Sequence, residues 1–505
     1  MYNAAVKFMK IAMEQCTKAA LLPWEFMTNK MEDRLRFTND VLRTDQAKKL
    51  VRIGIESALS PSLKYGFSDY ANPALIPLNL LTSGIKNFNK GMDVLIYIKD
   101  TAVSAPEKLL LKIQVERDRP ARYTKIVYRN VPEPAWISNN QVIDIPELKG
   151  VILRYFPAPG ATKMDSLPSL LGPPMAGHGS QIVDFKRGQS LVETAHSAGV
   201  HSVFVLDWQT TTKERSHETI DDYITKNKIC VDVIRDKFYQ GRKVPVNLYG
   251  FCQNGWQMTM YAAKYPEDVH ALVTAGAPID PQAGNSDIKM YCTMFPPSFF
   301  RSLVNQDGVL DGRYLVYGFI MLDPVGRVKD FVDLSHFVFD DKKVARFEHF
   351  SNWYHHNVIM IPGAFYRQTV EEHFIGSKLV RGEMHILGEK LNLKKIGPHK
   401  GHLVVTIGGT ADNITDAIDN HCLADYVSGN GGTGIKLGRD GRYLAQNEDE
   451  IQAILNEIDK KVPQFNADEG HLGLFISSKT LKSIYEPLFK KIKTISDQRN
   501  PSFRS

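Results

Sequence analysis

The sequence predicts an α/β fold: a mostly parallel sheet with helices on both faces, interrupted by a helical cap insertion and preceded by a helical N-terminal region. Three observations carry this. After Gly150 short apolar runs alternate with helix-like segments, the pattern of parallel strands joined by crossover helices. The alternation stops near Pro278 and resumes near His402, leaving between them a stretch rich in Phe, Tyr, Trp and His. The chain of 505 residues, 43% hydrophobic and 23% charged, is long enough and apolar enough to close a large core.

From Met1 to about Lys90 the apolar residues recur at near-helical spacing, as in Val6, Met9, Ile11, Met13 and Ala20, and again from Ala47 to Leu59. These helices pack on their own domain or lie on an apolar surface; no chemistry is visible in them. Between Pro106 and Gly150 repeated prolines suit an irregular connection. Strands are then expected at Val151–Phe156, Ser169–Met175, Ser202–Trp208, Val244–Tyr249, Ala271–Ala275 and Leu403–Ile407, with helices near Gln189–Ser197, Asp221–Tyr239 and Gln253–Lys264. The predicted organisation is a helical region over 1–148, a first core part over 149–280, a cap over 281–400 and a second core part over 401–505.

Composition excludes several classes. With 62 basic against 56 acidic residues the net charge is +6, too small and too dispersed for a nucleic-acid footprint. The late cluster Lys390, Lys394, Lys395 and Lys400 reads as a solvated face, or as a contact for a phosphate-bearing cosubstrate. Five scattered cysteines show neither a disulfide framework nor a metal spacing, which suits a reducing cytoplasm. The first residues lack the pattern of an export signal and no apolar run reaches 18 residues, so neither export nor a membrane span is expected. No metal and no bound organic cofactor is expected.

The sharpest local signal is the run from Val246 to Trp256, an apolar strand entering a Gly-x-Cys-x-x-Gly turn and then a helix. Such a turn is a nucleophile elbow, which holds its central side chain in a strained strand-to-helix bend and needs small neighbours two residues away. Gly250 meets that need and Asn254 does not, the second glycine falling at Gly255. A lone cysteine is commonly a small buried hydrophobe. At a helix N-terminus beside an imidazole, however, the thiolate is favoured, and Cys252 has that address. Gln253 would present its backbone N–H to an oxyanion.

An acid and a histidine should follow in that order, each beyond a later strand. Asp412 sits in the Gly-rich loop after Val404–Ile407, and His471 in the loop from Asn466 to Phe475. Read separately, Asp412 is a helix N-cap ahead of Ala417–Cys422 and His471 a loop hydrogen-bonder. Read together they complete Cys252, His471 and Asp412 as nucleophile, proton carrier and orienting acid. A second donor for an oxyanion would come from Met175, Ala176 and Gly177 in the segment Pro173–Gly179, with the donor open between Met175 and Ala176 and His178 reading as structural.

Asp184-Phe185, Gln189–Val192, Val203–Trp208, Asp221–Ile224 and the elbow Gly250–Gly255 stand in an order that resembles the polyhydroxyalkanoate synthase superfamily of α/β-hydrolases. The resemblance covers residues 150–280 and 400–480. It implies an α/β-hydrolase fold, a Cys–Asp–His triad at Cys252, Asp412 and His471, and acyl transfer from 3-hydroxyacyl-coenzyme A to the cysteine and on to a chain hydroxyl. A further set of motifs, among them Ala176–Gly179, Cys252–Trp256, Gly312-Arg313-Tyr314, Asp412–Thr415 and Gly470–Phe475, is similar to a bacterial branch often labelled poly(3-hydroxyalkanoate) synthetase. Its match continues through the cap, including Phe347–Phe350 and Asn352-Trp353.

Three functions follow. The first is an acyltransferase of synthase type. The second is a thioesterase or polyester hydrolase with the same triad, differing only in whether water or an alcohol resolves the acyl-enzyme. The third is a granule-associated binding protein. The partners implied are an acyl-coenzyme A or polyester substrate, with an apolar granule or membrane surface and a homodimer left open, and no nucleic acid.

Overall fold

The computed structural model describes residues 118–119, 121–127, 135–160, 164, 166–322, 324–427 and 448–500. The helices expected over the first 90 residues lie outside them. Eight strands form the main sheet: β1 (Gln141–Ile143), β2 (Val151–Pro157), β3 (Ser169–Gly172), β4 (Ser202–Trp208), β5 (Val246–Phe251), β6 (Val269–Ala275), β7 (Leu403–Gly409) and β8 (Gln464–Ala467). Their spatial order is β1-β2-β4-β3-β5-β6-β7-β8. β2 runs antiparallel to both β1 and β4, and every pairing from β4 to β8 is parallel.

Parallel strands need crossover helices, and these cover the faces of the sheet. In β4, β6 and β7 every residue is buried, so both faces are covered. Alternate side chains divide accordingly: Phe204, Leu206, Leu248, Leu272 and Val404 join one cluster with Trp256, while Tyr249 and Phe251 point the other way, against Phe489 and Phe475. The helices that matter for the site are α1 (Leu191–Ser197), α2 (Ile220–Tyr239), α3 (Gln253–Lys264) and α4 (Glu486–Arg499). Each start of α1 and α2 is written in its cap. Ser190 accepts from the Glu193 N–H at 3.0 Å, and Thr219 with Asp222 forms a reciprocal capping box. α2 ends on Gln240, held left-handed at φ 57°.

Within the described residues the expected strands and helices are present, Ser202–Trp208 and Gln253–Lys264 at the expected bounds and the others shifted. β3 stops at Gly172 rather than Met175, because Pro173 and Pro174 cannot donate to a ladder. β1 lies inside the stretch expected to be irregular, and β8 was not expected; each is three or four residues long, too short for periodicity to register. The segment between β6 and β7 is largely helical, with Asp287–Met294, Pro297–Ser302 and Gly363–Gln368 as α-helices and Asn352–His356 and Thr369–Ile375 as π-helical turns.

The chain divides into two compact units, Pro132–Phe319 with Ser351–Ser505, and Met1–Val131 with Ile320–Phe350. The first holds the sheet. In the second, Tyr123 buries with Leu334, Val338 and Val344, and Arg122 pairs with Asp341.

Candidate functional site

Cys252 lies at the bend between β5 and α3 with φ 51° and ψ −122°, a backbone region that a side chain enters only under strain. The surrounding contacts hold it there. Its N–H donates to the Ala275 carbonyl at 2.8 Å, and its own carbonyl accepts from the Gly255 N–H at 2.9 Å. A Cβ at Gly250 would come within 2.6 Å of the Gly255 Cα, so the helix crosses the strand on two glycines. The neighbouring Asn254, unusual beside such a bend, is accommodated by a third: a Cβ at Gly172 on β3 would meet its Oδ1 at 1.8 Å. The shifted glycine therefore leaves the turn intact because β3 makes room for the asparagine.

The side chains expected from sequence converge at this bend. His471 Nδ1 and Asp412 Oδ2 are 2.7 Å apart, and the Cys252 sulfur lies close enough to the buried imidazole to act on its pKa. All three residues are buried, with Cys252 7% exposed. Burial by itself would lower the His471 pKa. The Asp412 carboxylate and then the Cys252 sulfur outweigh it and hold the imidazole well above its ordinary value. The other oxygen of Asp412 accepts from the Ile414 and Thr415 N–H groups, each at 3.0 Å. Asp412 is thus fixed by its own turn, and the N-cap of helix Ala417–His421 is Asp416, which accepts from Ile418 N–H at 3.1 Å. This corrects the reading of Asp412 as that cap. The loops carrying acid and histidine are stitched together: Thr410 N–H donates to Ala467 and Ala411 N–H to Glu469.

Gln253 opens α3, so its N–H has no intrahelical acceptor by position and faces the bend. Opposite runs the loop Met175–Gly179. Trp208 anchors both of its ends: its indole N–H donates to the Pro173 carbonyl at 2.7 Å and its backbone N–H to Ser180 Oγ at 2.9 Å. Gly177 has φ +93°, and a Cβ there would sit 2.9 Å from the Gly312 carbonyl. The Gly177 carbonyl accepts from Ile359 N–H and the Gly179 N–H donates to Asn357, so this loop pairs with a segment about 180 residues downstream. Those two groups are committed; Met175, buried, and Ala176, half-buried, precede them.

His178 is buried, 4.7 Å from the Trp353 ring, with Nε2 3.1 Å from the Tyr354 carbonyl. Burial pushes its pKa down to about 3. It is neutral and held, consistent with a structural reading. The sequence named Trp353 only within a motif and gave it no role, and it did not point to Asn357–Ile359; the Trp353 indole donates to the Gly179 carbonyl, and nothing local marks a residue whose partner lies so far along the chain. A surface cavity of about 720 Å³ lined by Ser138, Arg187, His196 and Lys482 contains none of the site residues. Among the described residues no cluster of His, Cys, Asp or Glu could hold a metal ion, and no helix is long and apolar enough to cross a membrane.

A strand order of 1-2-4-3-5-6-7-8, with a bent residue after the fifth strand and an acid and a histidine after the seventh and eighth, defines an α/β-hydrolase-fold protein. Comparison with known families then gives the particular one. The model of the family described as "Protein of unknown function (DUF3141)" matches residues 105–424, and the chain belongs to that family. It is similar to the poly(3-hydroxyalkanoate) polymerase subunit PhaC of Haloferax mediterranei, 29% identical over 43% of this chain and 43% of that one. It is also similar to the protein of the same name from Synechocystis sp., 27% identical over 52% of this chain and 70% of that one. The chain thus spans less than half the length of the first of these relatives. Among solved structures, mouse alpha/beta hydrolase domain-containing protein 10 is 14% identical with a TM-score of 0.36, covering 72% of this chain and all of that one (100%). The resemblance to the polyhydroxyalkanoate synthases read from the motifs is therefore met by relatives named as poly(3-hydroxyalkanoate) polymerase subunits.

Proposed function

We propose that this protein is an acyltransferase that carries acyl groups on Cys252, drawing them from 3-hydroxyacyl-coenzyme A thioesters in the manner of a polyhydroxyalkanoate synthase. The observation that carries the reading is the bent Cys252 beside the buried His471, whose Nδ1 lies 2.7 Å from Asp412 Oδ2. The names of the PhaC relatives support the substrate class. A thiolate is also suited to it, since attacking and leaving groups are both sulfur.

In this reading the raised His471 pKa keeps an imidazolium beside Cys252, and the sulfur reacts as its anion. The thiolate adds to the thioester carbonyl, and the backbone N–H of Gln253 with one from Met175 or Ala176 receives the negative oxygen. Collapse expels the coenzyme A thiolate, which takes the His471 proton. A hydroxyl of the growing chain then attacks the acyl-cysteine while neutral His471 removes its proton. Collapse of that second adduct re-forms the Cys252 thiolate beside the imidazolium and leaves one new ester bond. Asp412 holds the imidazole so that its second nitrogen faces the sulfur throughout. The low exposure of Cys252 favours an alcohol over water as acceptor.

The test is incubation of the purified protein with 3-hydroxybutyryl-coenzyme A, following free thiol and sedimentable polymer. Thiol release with polymer is expected, both lost in Cys252→Ala. Thiol release with free hydroxy acid would replace transfer by hydrolysis, and undiminished turnover in Cys252→Ala would remove the cysteine from the chemistry.

A further inference from the structure

The dipeptide Asn420-His421, at the end of the short helix Ala417–His421, is wholly inside the core, and both side chains are spent on strand ends. Asn420 Oδ1 accepts from the Thr274 hydroxyl on β6 at 2.8 Å. Its Nδ2 donates to the Thr274 carbonyl at 3.1 Å and to the Ile407 carbonyl on β7 at 2.8 Å. One amide therefore ties two adjacent strands just before they stop pairing. His421 does the same one strand further. Its Nδ1 lies 2.7 Å from the Thr406 hydroxyl on β7 and its Nε2 3.0 Å from Asn466 Oδ1 on β8.

The bonds assign the tautomer. Asn466 Oδ1 can only accept, so Nε2 carries the proton and Nδ1 accepts from Thr406. This requires a neutral ring, and burial lowers the His421 pKa to about 4. Room for the ring comes from Gly408, where a Cβ would meet the His421 Nε2 at 2.9 Å. The preceding Asp419 extends the tie outward, accepting from Gly284 N–H at 2.7 Å, while its carbonyl accepts from Asp280 N–H.

What emerges from the three tied ends is the acid–base half of the site. β6 continues into Gly276, at φ +52°, where a Cβ would sit 3.2 Å from His471 Cε1. β7 continues into the loop of Asp412, and β8 into the loop of His471. Side chains that bond across strands inside a low-dielectric core resist displacement more than loop contacts in water do.

We propose that Asn420 and His421 are positioning residues, a buried bracket across β6, β7 and β8 that sets the distance of His471 and Asp412 from Cys252. The proposal rests on the acyl-cysteine reading above. Neither residue touches substrate; each acts through strand ends whose displacement by about 1 Å is enough to cost about 100-fold in rate.

The test compares Asn420→Ala, His421→Leu and the conservative His421→Gln in the full chain. Two readouts are taken: turnover of 3-hydroxybutyryl-coenzyme A, and the pH profile of Cys252 alkylation by iodoacetamide, assigned by peptide mapping. The expected result is a kcat loss of about 10- to 100-fold with KM within about twofold in the first two variants. Their alkylation profile should depart from that of wild type, and His421→Gln should recover most of both. Thr406→Val, which removes a single bond, carries the same test should the larger changes prevent folding. An unmoved profile and unchanged kcat in these variants, with turnover lost in Cys252→Ala, would overturn the bracket alone. Turnover retained in Cys252→Ala would instead end the acyl-cysteine reading, and the alkylation profile alone would then decide the bracket.

Discussion

The two sides of Cys252 are held by different means. On the acid–base side, Asp412 and His471 leave adjacent strands whose ends are cross-bonded by buried side chains of Asn420 and His421. On the opposite side, the loop Met175–Gly179 is anchored to its own sheet only at its ends by Trp208; its middle pairs with Asn357–Ile359 and packs on Trp353. The second side takes its middle contacts from the segment between β6 and β7, whereas the acid–base side is tied mainly across strand ends, with Asp287 of that segment adding bonds to Asn413 beside Asp412.

Variants can sharpen or break this contrast. The largest effect is common to both sides: Cys252→Ala should lower turnover about 10⁴-fold or more, measured as thiol release. Asp412→Asn comes next, at about 10³- to 10⁴-fold in kcat, because the imidazole loses the partner that orients it. Its stability effect has a sign. The His471 pKa is raised in the fold, so the pairing with Asp412 stabilises the protein fully below the ordinary imidazole pKa of about 6.5 and fades as pH rises through the raised value. Urea melts should therefore show wild type and Asp412→Asn furthest apart near pH 6 and converging in alkaline buffer.

On the insertion side, Trp353→Phe keeps most of the packing and removes the bond to the Gly179 carbonyl, a loss of about 1 kcal/mol in stability. Its kcat should fall while the pH profile of Cys252 alkylation stays where it was. A shifted profile would mean that the two sides are not independent. Gly172→Ala should cost about 1–3 kcal/mol by driving Asn254 out of its place, and Asn254→Gly in the same chain should restore it, as thermal melts would show.

A last effect is diffuse and concerns pH alone. His178 and His270, lowered to about 3, and His373 and His421, lowered to about 4, are all buried and neutral. The unfolded chain binds protons that these rings refuse. Stability should therefore fall as pH drops below about 6.5, opposite in sign to the His471 contribution over the same range.

Most of the sheet was legible because its inner strands are buried on both faces and read as unbroken apolar runs; Ser202–Trp208 stands at the expected bounds. The bend at Cys252 was legible because strain needs glycine nearby, and Gly250 marks it. What sequence could not supply was the compensation. That Gly172 makes room for Asn254, that Trp353 holds Gly179, and that Asn420 joins Thr274 to Ile407 are contacts across tens to hundreds of residues, and no periodicity encodes them. The cap over Asp412 was misplaced by four residues because Asp412 and Asp416 sit in similar turns, and only the accepted N–H groups tell them apart.

The central claim is that an acyl group rests on one sulfur. Brief exposure of the protein to 3-hydroxybutyryl-coenzyme A, an acid quench and mass analysis of the intact chain and its peptides would test it. The account predicts one 3-hydroxybutyryl increment, or a short oligomer of it, on the peptide containing Cys252. Turnover of the thioester with that peptide unmodified at every time sampled, and the increment carried elsewhere or nowhere, would contradict it.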